Sequence, residues 1–154
     1  IFNLWNSYNY NYLYIVFRSN NLMFQYTFKI YYEDTDSGGV VYYANYLKFI
    51  ERARTEMINE LGFTLTTLLK DYDRLFLVKK IECDYIESCK LEDRLNVQSR
   101  VLLLKNASFE LEQNILKQNN FIFRSKILMV CVNSRGAPCK IPSELHSLMK
   151  NKDG

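Results

Sequence analysis

The sequence has few of the side chains that bind transition metals. It contains one histidine, His146, and four cysteines, none of them in a CxxC pair: Cys83, Cys89, Cys131 and Cys139. Structural zinc is held by Cys and His at short, regular spacings, so we expect no zinc site. Free thiols are typical of a reducing compartment. We therefore predict a cytoplasmic protein that uses no metal ion and no redox cofactor.

Long apolar runs and a strong charge bias are also absent. Apolar runs such as ILMVCV at Ile127–Val132 are much shorter than the roughly 18 residues that a membrane-spanning helix needs. The formal net charge is only +3, and the basic residues are scattered, which is not the pattern of a nucleic-acid-binding surface. These absences predict no transmembrane segment and no nucleic-acid partner, but they leave an acidic or phosphate-bearing small molecule as a possible ligand.

The composition changes near residue 23. Residues 1–22 are rich in Asn and Tyr, contain no acidic residue and place Arg18 after a short apolar stretch, which is not the order of a signal peptide. We expect a natural start at Met23, preceded by a disordered or non-native extension. A chain of 154 residues suffices for one well-packed domain. We assign that domain to residues 23–150 and a short tail to residues 151–154.

Two apolar periodicities follow Met23. Alternation from Phe24 to Tyr32 predicts a half-buried strand, which the glycines after Ser37 interrupt. Beyond them, spacings of three and four predict one long amphipathic helix that ends at Gly62. Its apolar stripe is Tyr46, Leu47, Phe49, Ile50, Ala53, Met57, Ile58 and Leu61.

The second half of the chain is dominated by strand patterns. A short helix is predicted over Thr64–Leu69, and four alternating stretches after Asp73 predict strands joined as an antiparallel meander. Ser143 is a candidate cap for a last helix that reaches Met149. The predicted fold is α+β, with one long helix packed against one antiparallel sheet of about five strands.

The acidic turn before the long helix allows three interpretations. Glu33, Asp34 and Asp36 do not continue into a calcium loop, because the next ligand position is Gly38. An Asp-x-Asp phosphatase motif would require parallel βα units that this chain lacks. The third interpretation is a single working carboxylate at Asp36.

The start of the helix offers a chemical complement to that carboxylate. The first N–H groups of a helix, here expected at Val41–Ala44, lack intrahelical partners and carry positive partial charge. Such donors stabilise the oxyanion that forms when a carbonyl is attacked. The simpler alternative, that Asp34 or Asp36 only caps a turn or helix, stays open at this level.

Three segments resemble a known enzyme family. YYEDTDSGGVVYYANYLKFIERARTEM, FLVKKIECDYIESCKLEDRLNV and ILMVCVNSRGAPCKIP are similar to the YbgC-like acyl-CoA thioesterases, in the 4-hydroxybenzoyl-CoA thioesterase branch of the hotdog fold. The resemblance runs roughly from Met23 to Met149. It implies a long helix wrapped by a curved antiparallel sheet, hydrolysis of an acyl-CoA thioester, and active sites shared between the subunits of a homodimer or homotetramer.

The resemblance also implies roles for individual residues. Asp36 corresponds to the catalytic carboxylate, and the N–H of Tyr43 to the donor aimed at the thioester carbonyl. Gly39 and Val40, which lie between Asp36 and Tyr43 in the sequence, are the predicted substrate-binding positions. Many relatives have His where this chain has Tyr43, and we interpret this departure as a change of substrate preference.

The remaining expectations concern coenzyme A and the alternatives to catalysis. Arg135 and Lys140 are candidate contacts for its phosphates, with ordinary surface charge as the alternative. Asp36 acts either as general base or as nucleophile through a mixed anhydride. The alternative function is a non-catalytic hotdog module that binds acyl-CoA or acyl carrier protein in a lipid-synthesis or envelope-associated assembly. A hotdog dehydratase is disfavoured because His146 lies far from the motif.

Overall fold

The computed structural model describes residues 22–150, so the predictions for residues 1–21 and 151–154 lie outside the described residues. The strands are β1 Met23–Lys29, β2 Leu75–Tyr85, β3 Arg94–Leu104, β4 Ser108–Lys117 and β5 Asn120–Val132. The helices are α1 Asn45–Glu60, α2 Leu65–Tyr72 and α3 Ser143–Met149, and a single 3-10 turn covers Tyr32–Asp34. The α+β class predicted from the sequence is confirmed.

The five strands form one antiparallel sheet in the order β1-β3-β4-β5-β2. Strands β3, β4 and β5 form the predicted meander. The prediction is wrong for β2, which pairs with β5 from Leu75↔Val132 to Tyr85↔Phe123 and lies at an edge. Alternation identifies the residues of a strand but not its neighbour. The segment from Ile86 to Asp93 connects β2 to β3 across the sheet, so these two strands do not form a hairpin.

Helix α1 lies against the sheet, as the apolar stripe predicts. Phe49, Ile50 and Met57 are almost fully buried, together with Leu111 and Ile127 of the sheet. Burying such side chains stabilises a fold by about 1.5–3 kcal/mol each. This packing fixes α1 in place and so positions the turn that leads into it.

Three details at the ends of elements differ from the prediction. Strand β1 ends at Lys29 rather than at Tyr32, whose side chain is exposed. Leu47 of the predicted stripe is 39% exposed. Helix α3 begins after Pro142, and Ser143 donates to Glu144 instead of capping the helix. Gly62, with φ of 86°, does follow the end of α1 as predicted.

Candidate active site

The turn that carries Asp36 is closed by backbone hydrogen bonds. The N–H of Asp36 donates to the Val40 carbonyl (2.9 Å), and the N–H of Gly39 donates to the Asp36 carbonyl (3.0 Å). Thr35 and Val41 form an antiparallel bridge on either side of it. Gly39 has φ of 76°, a left-handed conformation that glycine adopts without strain. The turn therefore places Asp36, Gly39 and Val40 next to one another.

The Asp36 side chain is exposed and only partly engaged. Its Oδ1 accepts a hydrogen bond from the Gly38 N–H at 2.7 Å, and a Cβ added to Gly38 would lie 3.1 Å from that oxygen. Its Oδ2 accepts no hydrogen bond from residues 22–150. One carboxylate oxygen thus fixes the turn while the other is available to a ligand or to water.

Asp34 has a different role from Asp36. It is buried, and its Oδ2 accepts a hydrogen bond from the Tyr31 N–H at 2.9 Å. Its backbone carbonyl accepts two more, from the Tyr42 N–H (2.9 Å) and from Asn45 Nδ2 (3.0 Å). Asp34 therefore orients the turn relative to the first residue of α1.

Two of the four expected free N–H groups are in fact engaged. The N–H of Val41 donates to the Cys89 carbonyl at 2.8 Å, and that of Tyr42 donates to the Asp34 carbonyl. The prediction is wrong for these two because the chain runs as a bridge through Val41 before α1 begins at Asn45. Within residues 22–150, no acceptor is hydrogen-bonded to the N–H of Tyr43 or Ala44. Free donors therefore lie one to two residues before α1.

Tyr43 and Ala44 form the entrance of α1, and Tyr85, at the end of β2, contacts Tyr43 there. Its hydroxyl donates to the Tyr43 carbonyl at 3.0 Å, and the two rings lie 6.4 Å apart. The ring of Tyr46 lies against Tyr85 and stacks on Phe123, at 5.5 Å in each case. The Tyr43 side chain itself is 62% exposed. The alternation in β2 marks Tyr85 as a strand residue, but no signal in the sequence points to Tyr43, 42 positions earlier.

Two other titratable groups lie close to the turn, and both are protonated near neutral pH. Burial raises the pKa of the Tyr46 phenol well above its usual value, and it raises the pKa of the Cys89 thiol to about 11. The Tyr46 hydroxyl accepts a hydrogen bond from the Cys89 N–H at 3.3 Å. Neither group supplies an anionic nucleophile near neutral pH.

Arg135 and Lys140 lie at the opposite end of the sheet from Asp36. They are exposed in the loop after β5, where the Ser134 N–H donates to Asp73 at 2.9 Å. Tyr85 pairs with Phe123, whereas Leu75 pairs with Val132 near this loop. A strand rises about 3.3 Å per residue, so these two ends of β5 are about 30 Å apart. One chain does not bring its own Arg135 and Lys140 to its own Asp36.

The described part of the chain offers neither a metal centre nor a membrane-spanning helix. No group of three or more His, Cys, Asp or Glu side chains there could hold a metal ion. No helix among residues 22–150 is long and apolar enough to span a membrane.

Comparison with known families identifies the family of this chain. Residues 31–148 match the family model described as "Thioesterase-like superfamily". The chain belongs to this superfamily. It is 39% identical over 123 residues to the acyl-CoA thioesterase YbgC of Haemophilus influenzae, covering 79% of this chain and 90% of the relative. It is 33% identical over 131 residues to the acyl-CoA thioesterase YbgC of Helicobacter pylori, covering 79% of this chain and 96% of the relative.

Solved thioesterase structures share the fold. A probable thioesterase from Bartonella henselae superposes with a TM-score of 0.76 at 30% identity, covering 78% of this chain and 99% of that one. The gentisyl-coenzyme A thioesterase BH1999 superposes with a TM-score of 0.75 at 29% identity, covering 82% and 99%. These similarities confirm the predicted hotdog fold and the YbgC-like resemblance.

Proposed function

We propose that this chain hydrolyses acyl-CoA thioesters, with Asp36 supplying the attacking group and the Tyr43 N–H stabilising the oxyanion. Membership in the thioesterase-like superfamily, with YbgC acyl-CoA thioesterases as relatives, supports the activity. The observation that carries the assignment of residues is local. An exposed, half-engaged carboxylate at Asp36 is followed, just before α1, by N–H groups at Tyr43 and Ala44 that find no acceptor among residues 22–150.

The reaction needs no group beyond the substrate and water. The thioester carbonyl accepts hydrogen bonds from the entrance of α1, which favours attack at its carbon because negative charge then develops on the oxygen. Asp36 either removes a proton from the attacking water or attacks the carbon itself, forming a mixed anhydride that water opens. Both routes release a carboxylic acid and the thiol of coenzyme A.

The substitution Asp36→Asn tests this assignment. Loss of a general base or nucleophile should lower kcat for thiol release by about a hundredfold or more, since acid–base catalysis alone contributes about 10²–10⁴-fold. Thiol release from a panel of acyl-CoAs is the measurement, and Asp71→Asn on the exposed face of α2 is the matched control. Equal release by the Asp36 variant would defeat the assignment. Absence of release by the wild type would favour the non-catalytic module that binds acyl-CoA or acyl carrier protein.

The two chemical routes differ in where solvent oxygen enters. A single turnover in ¹⁸O-labelled water should place label in the Asp36 carboxylate only if an anhydride forms and water attacks its Asp36 carbonyl. Mass spectrometry of the peptide that contains Asp36 measures this. Label confined to the released acid under repeated turnover would exclude that form of the anhydride route and favour general-base catalysis.

The free edge of β2 supports a homodimer as the working form. Among residues 22–150, strand β2 pairs with β5 on one side only, and it exposes apolar side chains, among them Leu77 and Tyr85. Antiparallel pairing of two β2 strands about Ile81 would place Lys80 opposite the partner's Glu82. The edge is thus complementary to itself in charge.

This dimer also gives Arg135 and Lys140 a place near a site. Antiparallel pairing brings the Leu75 end of one chain to the Tyr85 end of the other, so the loop of one subunit approaches the Asp36 turn of its partner. We propose that Arg135 and Lys140 contact the phosphates of coenzyme A bound at the partner's site.

A further inference from the structure

Two free cysteines face each other at the end of the sheet that lies away from Asp36. Cys131 is in β5, where it pairs with Phe76 of β2, and Cys139 is in the segment that follows the loop after β5. Their Sγ atoms lie 3.8 Å apart. Cys131 is fully buried in the core, whereas Cys139 is only partly covered. The proposed thioester hydrolysis uses neither of these thiols.

The backbone holds the two cysteines in cross-strand register. The Cys139 N–H donates to the Cys131 carbonyl at 3.0 Å, and the next pair along the chain, Val132 and Pro138, forms an antiparallel bridge. Opposite residues in a hydrogen-bonded antiparallel pair have Cα atoms about 5.5 Å apart, within the range of about 4.4–6.8 Å that a disulfide requires. The two strands are therefore already spaced for a disulfide.

Further contacts anchor the segment that carries Cys139. The Ile141 N–H donates to the Asn106 carbonyl at 2.8 Å, and Arg74 Nε donates to the Lys140 carbonyl at 2.8 Å. These contacts keep the two thiols close together in the reduced protein. Rotation of the two side chains is then sufficient to shorten the distance between the sulfurs from 3.8 Å to the about 2.05 Å of a disulfide bond.

The two thiols differ in their access to an oxidant. Burial raises the pKa of the Cys131 thiol to about 12, and its Sγ lies 3.8 Å from the Lys140 carbonyl, which accepts its proton in a weak hydrogen bond. A cysteine is oxidised as its thiolate and where the oxidant can reach it. Cys139 is therefore the thiol that an oxidant meets first, and Cys131 is the thiol that lies behind it.

We propose that Cys131 and Cys139 are a site of reversible oxidation, at which a peroxide converts the two thiols into an intramolecular disulfide. The Cys139 thiolate attacks one oxygen of hydrogen peroxide. The O–O bond breaks, the sulfur becomes a sulfenic acid, and the second oxygen takes up a proton and leaves as water. The Cys131 sulfur then displaces the sulfenic hydroxyl, which leaves as water with the Cys131 proton. Two thiols and one hydrogen peroxide thus give one disulfide and two water molecules.

The disulfide would have two consequences for the chain. It captures the Cys139 sulfenic acid before a second peroxide oxidises it irreversibly to the sulfinic acid. It also closes residues 131–139 into a ring that contains the loop with Arg135, which removes conformational freedom from the unfolded chain and so stabilises the fold. A reducing dithiol restores both cysteines by thiol–disulfide exchange, so the modification is reversible.

Tryptic peptides of the oxidised protein test the linkage. Cleavage of the denatured chain after Lys126, Arg135 and Lys140 places the two cysteines in separate peptides, residues 127–135 and 136–140. After treatment with hydrogen peroxide and alkylation of the remaining thiols, mass spectrometry should find these peptides joined, and dithiothreitol should separate them. Non-reducing electrophoresis should show the oxidised protein at the position of a single chain. Absence of the joined peptides, or a bridge between two chains, would overturn the proposal.

Thermal unfolding tests whether the bridge stabilises the fold. The melting temperature of the wild type should rise by about 5 °C on oxidation, because the closed loop is short, and should return on reduction. Cys139→Ser should show no rise. Cys83→Ser, which removes the other partly buried thiol, is the matched control and should show the same rise as the wild type. A rise that persists in Cys139→Ser, or no rise in the bridged wild type, would contradict this role.

The fate of Cys139 tests the role of Cys131 behind it. Cys131→Val keeps an apolar side chain in β5 but removes the second thiol. In this variant, hydrogen peroxide should convert Cys139 to the sulfinic acid under conditions that leave the wild type at the disulfide. Mass spectrometry of residues 136–140 measures both products. Equal amounts of sulfinic acid in the wild type and in Cys131→Val would show that Cys131 does not capture the sulfenic acid, and would overturn the proposal.

Discussion

The hydroxyl of Tyr85 ties the end of β2 to the entrance of α1. It donates to the Tyr43 carbonyl, whose peptide group carries the free N–H of Ala44 on its other side. A hydrogen bond to the carbonyl of a peptide polarises its N–H and fixes its orientation. Tyr85 is therefore a positioning residue for the Ala44 N–H, which lies next to the proposed oxyanion donor at Tyr43.

The variant Tyr85→Phe removes only that hydroxyl. We predict that kcat falls about three- to tenfold with little change in KM, because the donor is weakened mainly where charge develops in the transition state. Steady-state kinetics with one acyl-CoA measures the split. Tyr72→Phe, at the other end of the molecule, should leave kcat unchanged. An unaltered kcat together with a lower melting temperature would show that the Tyr85 hydroxyl has only a structural role.

At the scale of elements, the connection between β2 and β3 supports the catalytic turn. This connection, residues 86–93, offers the Cys89 carbonyl to the Val41 N–H and packs the Cys89 side chain in the core. Its end is held by Asp93, whose Oδ2 accepts from the Lys90 N–H (2.9 Å) and from Lys117 Nζ (2.8 Å). The segment that fails to form the predicted hairpin thus has a role of its own.

The variant Asp93→Asn should weaken this connection in a pH-dependent way. Burial alone would raise the pKa of Asp93, but hydrogen bonds from Lys117 and from the Lys90 N–H offset it, and the pKa is lowered. A carboxyl with a lowered folded pKa stabilises the fold above its unfolded pKa, about 3.9, and this contribution is lost as the pH falls through the folded value.

We therefore expect Asp93→Asn to lose about 1 kcal/mol of unfolding free energy at pH 7, and to approach the wild type as the pH falls below about 4. Urea unfolding across pH 3 to 7 measures both limits. A difference that is constant across this range would contradict an electrostatic role for Asp93.

At the scale of the whole molecule, the proposed pairing of two β2 edges brings the loop that carries Arg135 and Lys140 in one subunit to the Asp36 turn of its partner. A chain that stays monomeric would then lack these two cations at its own site, so we expect it to bind acyl-CoA more weakly.

Charge reversal at Lys80 and Glu82 tests this pairing. Lys80→Glu or Glu82→Lys alone would place like charges opposite each other at two symmetric positions, and we predict about a tenfold higher dimer dissociation constant. The double variant Lys80→Glu/Glu82→Lys should recover the wild-type value. Sedimentation equilibrium gives these constants. Wild-type chains that remain monomeric, or a double variant as weak as the singles, would exclude this interface.

The sequence predicts the turn that carries Asp36 more completely than it predicts the order of strands in the sheet. The DSGG segment identifies the turn, and the resemblance singles out Asp36 among three acids, because both depend on residues close together in the chain. The sequence does not predict that the N–H groups of Val41 and Tyr42 are already hydrogen-bonded. Nor does it predict that the Tyr85 hydroxyl donates to the Tyr43 carbonyl. Those contacts join residues that become neighbours only after the sheet has closed.

Periodicity and local chemistry in the sequence determined the α+β class, the long helix over Asn45–Glu60 and the glycine turn with Asp36, because each depends on residues within a few positions of one another. Only the tertiary structure decided that β2 leaves the meander to pair with β5, and that Arg135 and Lys140 lie at the opposite end of the sheet from the turn. It also brought the Tyr85 hydroxyl to the Tyr43 carbonyl. Strand order and side-chain contacts of this kind depend on which distant segments pack together, and alternation along one strand carries no information on that choice.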